Sequence, residues 1–269
     1  MNALKMFCAA LCVICSQCLT QAAHAKSETA VSTWIVEPPQ ITSEPITLTK
    51  GDFLQRARLL PIGLIELTAD AHVGPNVDDV IRAGEQLFEL AGGTMYRPSR
   101  SSAGVFCQVR TFDTESKGLI GKTIVSYRHC LVDRERDGQI DDAVLAFSCP
   151  YDIPIVGVKV PSGPPTLAGP TYRRLSIKEF RDGPMVGIAF GGIALLDGDP
   201  RFIRAFGSGN PIPLFGEKHS RSGDDPGQRT SFGAAFTILR VEEQTVTIRN
   251  DRPIPVQPFG IIRTGPCKR

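Results

Sequence analysis

The sequence predicts an all-β protein, a sandwich or partly open barrel of short antiparallel strands with little helix. Three observations carry that reading. Apolar residues alternate with polar ones over short runs, the period-2 signature of half-buried strands. The chain spreads 26 Gly and 21 Pro through 269 residues, so turns recur at the intervals of sandwiches and barrels. Sustained 3.6-residue periodicity is nearly absent.

The first element is a leader. Lys5 supplies a positive start, Met6 to Leu19 an apolar run, and Ala23-His24-Ala25 an A-x-A cleavage site. This is the layout of a secretory signal peptide over residues 1–25, and its apolar run is shorter than the ~20 residues a spanning helix needs. The expected location is therefore the periplasm or the extracellular space, with no membrane span after cleavage. The formal net charge is +2 from 30 basic and 28 acidic residues. Such a balance gives no electrostatic case for nucleic acid or an anionic membrane as partner.

Residues 26–160 read as a β-rich N-terminal part. "NVDDVIRAGEQLFELAGG" fits a helical repeat only roughly, and Gly84 in its middle favours two short strands around a turn. In "AGVFCQVRTF", Val105, Cys107 and Val109 fall on one side and Phe106 and Gln108 on the other. "TIVSYRHCLV" and "DAVLAFSC" are strands flanking an acidic loop. The segment 161–171, "PSGPPTLAGPT", is a linker or a crossover, and residues 172–269 form a second β-rich part, in one domain with the first or in another. Within it, "GPMVGIAFGGIALLDGDPRFIRAFG" gives strands cut at Gly191-Gly192 and Asp197-Gly198. "AAFTILRVEEQTVTIRN" reads as a hairpin with Phe236, Ile238 and Val241 on one face, returning through Val246 and Ile248.

Four of the 8 cysteines lie within the leader. Cys107, Cys130, Cys149 and Cys267 follow it, an even number suited to two disulfides in an oxidising compartment. We pair Cys107 with Cys130 across neighbouring strands, and Cys149 with Cys267 to tether the C-terminal tail. None of them forms a CxxC pair, which leaves no basis for a thioredoxin-like or zinc-ribbon role.

The chemistry concentrates in "CLVDRERDGQIDDAVLAF", residues 130–147. Calcium takes six to eight oxygens from a loop with carboxylates at alternating positions and a glycine at the sharp bend. Asp133, Glu135 and Asp137 have that alternation, Gly138 follows, Gln139 can offer its backbone carbonyl, Asp141 completes the candidate ligands, and Ile140 is the apolar residue that pins such loops to a core. Over about ten residues this resembles the DxDxDG calcium loops of EF-hands, dockerins and several non-helical extracellular proteins. It departs from them at Val144, where an EF-hand has its bidentate glutamate, at Glu135 in place of aspartate, and in its strand flanks. Arg134 and Arg136 bring positive charge beside it. The competing reading is a plain acidic hairpin with Asp137-Gly138 as its turn.

Other chemistry is sparse. His129 adjoins Cys130 on a strand, so their side chains point to opposite faces and form no dyad. His219 sits with Ser220 and Asp224 in one polar loop, whereas triads draw on separate rigid elements. HExxH, P-loop and dinucleotide patterns are absent. Aromatics are 7% of the chain and Trp34 is the single tryptophan, which weakens a carbohydrate-binding face built on Trp34, Tyr96, Tyr127, Tyr151 or Tyr172. The expected function is that of an exported, disulfide-stabilised binding or structural envelope module, with an envelope protein or glycan as partner and calcium as a structural ion. The alternative is a periplasmic hydrolase with catalytic residues dispersed in sequence.

Overall fold

The computed structural model describes residues 29–74, 79–94, 97–99, 101–118, 121–148, 157–162, 164–181, 183–194, 198–206, 212–213, 220–221 and 227–260. Residues 1–25, where a signal peptide is expected, and Cys149, Cys267, His219, Tyr96 and Tyr151 lie outside them. The fold is all-β, with antiparallel sheets that include a curled half-barrel and, among the described residues, no α-helix.

A seven-stranded sheet carries the site. Its order runs Phe112–Gly118, Gly121–Asp133, Gly104–Gln108, Gln86–Glu89, Leu64–Leu67 and Tyr172–Leu175, while Asp142–Ser148 pairs with the other edge of Gly121–Asp133. A six-stranded sheet centres on Met185–Ile193 and Phe53–Pro61, and a five-stranded sheet on Ala234–Val241 and Thr245–Arg252. Strands from both sides of 161–171 pair with each other in all three: Tyr172–Leu175 lies on Leu64–Leu67, Met185–Ile193 on Phe53–Pro61, and Thr245–Arg252 on Ile46–Thr49.

The alternation in Gly104–Gln108 has a direct structural meaning. Val105, Cys107 and Val109 join the main core with Trp34, Phe88 and Phe236. Phe106 points the other way, into a second cluster with Ile65, Leu87, Leu131 and Ile140. A strand buried on both faces needs apolar residues at successive positions, which explains why this one is closed throughout. Between Val80–Ile81 and Gln86–Glu89 the chain turns at Gly84 with φ +78, a left-handed conformation that glycine adopts without a Cβ clash.

Two details differ from the sequence reading. Gly191-Gly192 does not cut a strand: Met185–Ile193 runs through it with a bulge, and Gly192 takes φ +104. A bulge absorbs one extra residue without ending the pairing. In the hairpin, a second bulge between Ile238 and Arg240 shifts the register, and Val241 ends up exposed while Val246 and Ile248 are buried. Buried polar groups also tie the sheets together. The Gln55 side-chain N–H donates to the Asn250 side-chain oxygen at 2.9 Å, and the Gln55 side-chain oxygen accepts from the backbone N–H of Ile254 at 2.9 Å.

Candidate functional site

The acidic segment joins Gly121–Asp133 to Asp142–Ser148, whose pairing closes at Val132 opposite Asp142. Residues 133–141 are therefore the loop, and Asp137-Gly138 is not a two-residue hairpin turn. Gly138 has φ +97, and Arg136, unusually for a residue with a side chain, has φ 59. Ile140 is fully buried in the second cluster, so the apolar position pins the loop to the core.

Asp133 is the internal brace. It is fully buried, and its carboxylate accepts from the backbone N–H of Asp137 at 3.2 Å, that of Gly138 at 3.0 Å and the Tyr172 hydroxyl at 2.7 Å. A buried carboxylate is tolerated when such donors replace its water. Burial, with the bond to Asp133, pushes the Tyr172 phenol up to about 12, so it stays a donor. Asp141 accepts from the Arg134 backbone N–H at 2.8 Å, and Asp137 accepts from the backbone N–H of Gln139 at 2.9 Å.

The two arginines are turned to other acids. Arg134 pairs with Asp142, whose second oxygen accepts from the Thr166 hydroxyl at 2.8 Å and its backbone N–H at 3.0 Å. Burial alone would raise the Asp142 pKa, but these bonds together hold it below the usual carboxylate value. Asp142 is thus committed to the frame of the loop. Arg136 reaches Glu89 at 2.8 Å and the carbonyls of Ser101 and Ala103 at 3.1 and 3.0 Å. Arg174 takes the other Glu89 oxygen at 3.0 Å. These contacts hold Arg136 in its strained backbone conformation.

The Pro/Gly-rich stretch lies along this loop as a strap. Thr166 and Leu167 donate backbone N–H bonds to the Asp141 carbonyl at 3.1 and 2.8 Å, Gly169 donates to Ile140 at 3.0 Å, and Ile140 donates back to Pro170 at 3.2 Å. A Cβ on Gly169 would sit 2.8 Å from the Ile140 Cβ, so only glycine permits this approach.

Of the five candidate metal ligands, the fold brings together three: Asp133, Glu135 and Asp141 place one carboxylate oxygen each within 4.8 Å of one another. Asp137 and Gln139 are not part of that group. Asp133 is buried, Asp141 half-buried and Glu135 exposed, so one side of the cluster opens to solvent. Three hard oxygen donors at this spacing can hold a metal ion. The sequence reading did not place Tyr172, Glu89 or Thr166 at the loop, because each comes from a distant strand or from the strap.

A disulfide joins Cys107 to Cys130, which are register partners on adjacent strands with Cα atoms 4.0 Å apart. Cys130 is buried in the main core while His129 faces outward, half-buried. The segment Ser220–Arg221 is a short strand. Comparison with known protein families, curated proteins and solved structures finds no match.

Proposed function

We propose that this protein is an exported β module that acts by binding a partner outside the cytosol, with a calcium ion as a structural part of its acidic loop. The convergence of Asp133, Glu135 and Asp141 within 4.8 Å carries the calcium part of the reading. Three carboxylates so close repel one another, and a divalent cation relieves that repulsion. Calcium suits the site because its donors are all oxygen and because calcium accepts irregular geometry and completes its sphere with water. The signal-peptide pattern and the Cys107–Cys130 disulfide support export. The strap and the Glu89 ion pairs hold the loop in shape without the ion, so its role is to rigidify and not to fold the chain.

Titration calorimetry with calcium chloride tests the reading. The expected result is one site on the wild-type protein, lost in Glu135→Gln. That variant keeps the buried brace, because Glu135 is exposed. Absence of calcium heat in the wild type, or binding unchanged by the substitution, would rule the site out.

A further inference from the structure

We propose that Asp137 is a site of spontaneous isomerisation to isoaspartate, that the buried Asp133 carboxylate holds this reaction back, and that the change, once made, releases the loop from Tyr172. The inference concerns a covalent modification and does not depend on calcium. Asp137 is exposed in the loop. It stands directly before Gly138, whose φ of +97 favours glycine. The same missing Cβ leaves the Gly138 nitrogen unshielded. An added Cβ would meet nothing within 4 Å, so the surroundings give no steric cover either.

The two reacting groups are neighbours on one chain, so the attack is intramolecular and needs no enzyme. The Gly138 nitrogen bonds to the Asp137 Cγ, and the carboxyl OH leaves with the amide proton as water. The product is a cyclic imide. Water then reopens the imide at either carbonyl. Opening at the former main-chain carbonyl routes the backbone through Cβ and Cγ, which is isoaspartate, with no net change in composition.

The loop ties down the groups that must move. The Gly138 N–H donates to Asp133 at 3.0 Å, and the Gly138 carbonyl accepts from the Tyr172 N–H at 3.3 Å. The Asp137 N–H donates to the other Asp133 oxygen at 3.2 Å. The Asp137 carboxylate is turned forward to the Gln139 N–H at 2.9 Å, across the residue it would attack but bound to another donor. These bonds have to break before the imide can form, and bonds to a charged acceptor are the stronger kind. The Asp133 oxygen that holds Gly138 also accepts from the Tyr172 hydroxyl at 2.7 Å, so Tyr172 keeps the brace in position.

The modified loop cannot return to this arrangement. Isoaspartate lengthens the backbone by a C–C bond, about 1.5 Å. Both ends of the insertion are held, Asp137 by its bond to Asp133 and Gln139 by a bridge to Thr171. The extra length therefore has to be absorbed at Gly138. A shift of that size takes its N–H off Asp133 and its carbonyl off Tyr172, because a hydrogen bond fails beyond about 3.5 Å. The change is covalent, so refolding does not restore these contacts.

The test is prolonged incubation of the whole chain at neutral pH in EDTA, with isoaspartate read in the tryptic peptide that starts at Asp137, after Arg136. The samples are folded wild type, wild type unfolded in guanidinium chloride, Asp133→Asn and Tyr172→Phe, with folding of the variants checked by circular dichroism. The folded wild type should isomerise there at least about tenfold more slowly than the unfolded chain. Both variants should isomerise faster than the folded wild type, and the purified isoaspartate form should melt below it. No isoaspartate at Asp137 in the unfolded chain, or equal rates in folded and unfolded wild type, would overturn the proposal even if neither variant folds. A folded Asp133→Asn that isomerises no faster than wild type would show that Asp133 does not restrain the reaction. An isoaspartate form that melts with the wild type would refute the release.

Discussion

Replacing Tyr172 by phenylalanine removes one hydroxyl from the acidic loop and leaves its ring in place. That ring packs against Phe106 with centroids 5.0 Å apart, so the packing survives the change. The lost interaction is the 2.7 Å bond to the buried Asp133 carboxylate. Hydrogen bonds to charged groups contribute about 1.5–3 kcal/mol net. Asp133 keeps the N–H groups of Asp137 and Gly138, which places the expected loss at about 2 kcal/mol. For a chain of this size that corresponds to a fall in Tm of roughly 4–8 °C. Circular dichroism melts in EDTA read the effect without any contribution from calcium. A double-mutant cycle with Asp133→Asn then isolates the pair, and the two changes should couple by more than about 0.5 kcal/mol. An unchanged melting temperature, or effects that simply add, would refute Asp133 as the brace that Tyr172 completes.

Three further predictions follow from the same frame. Glu89→Ala strands the nearly buried Arg136 guanidinium, and loss of one partner of a buried pair costs about 3–5 kcal/mol; urea denaturation should show this, with partial rescue when Arg136→Met is added. Asp142→Asn should destabilise the protein at neutral pH, and the gap should close in acid. Because the folded pKa of Asp142 is held down, its contribution is complete above the unfolded value of about 3.9 and disappears as pH falls through the folded one; a gap that persists at the lowest accessible pH contradicts this. Reducing the Cys107–Cys130 bond, with a sequence separation of 23, should cost about 3 kcal/mol by chain entropy. The Cys107→Ala, Cys130→Ala double variant should show the same lowered Tm and no response to reductant.

The parts of the fold set by local chemistry were legible in the sequence. Gly84 marked a turn between two strands, the alternation around Cys107 separated two core faces, and Ile140 marked the point where the acidic loop enters the core. The Cys107–Cys130 pair followed from two neighbouring strands. What could not be read depends on residues that meet only through long-range pairing. Tyr172 reaches Asp133 because Tyr172–Leu175 joins the sheet at Leu64–Leu67. Glu89 meets Arg136 across a gap of 47 residues. Phe112 and Phe147 line up with Tyr127 for a related reason, through the pairing of three strands. Gly191-Gly192 misled because a bulge and a strand end share the same glycine signal.

The measurement that bears most directly on the calcium reading is the melting temperature of wild type and Glu135→Gln, each in excess calcium and in EDTA. At a calcium concentration about a hundred times the Kd, binding to the folded state alone adds about 2.7 kcal/mol, or roughly 5–11 °C. The account predicts that rise in the wild type and none in the variant, with both proteins melting together in EDTA. Coincident wild-type curves with and without calcium would contradict it and leave residues 133–141 as a loop braced by its own hydrogen bonds.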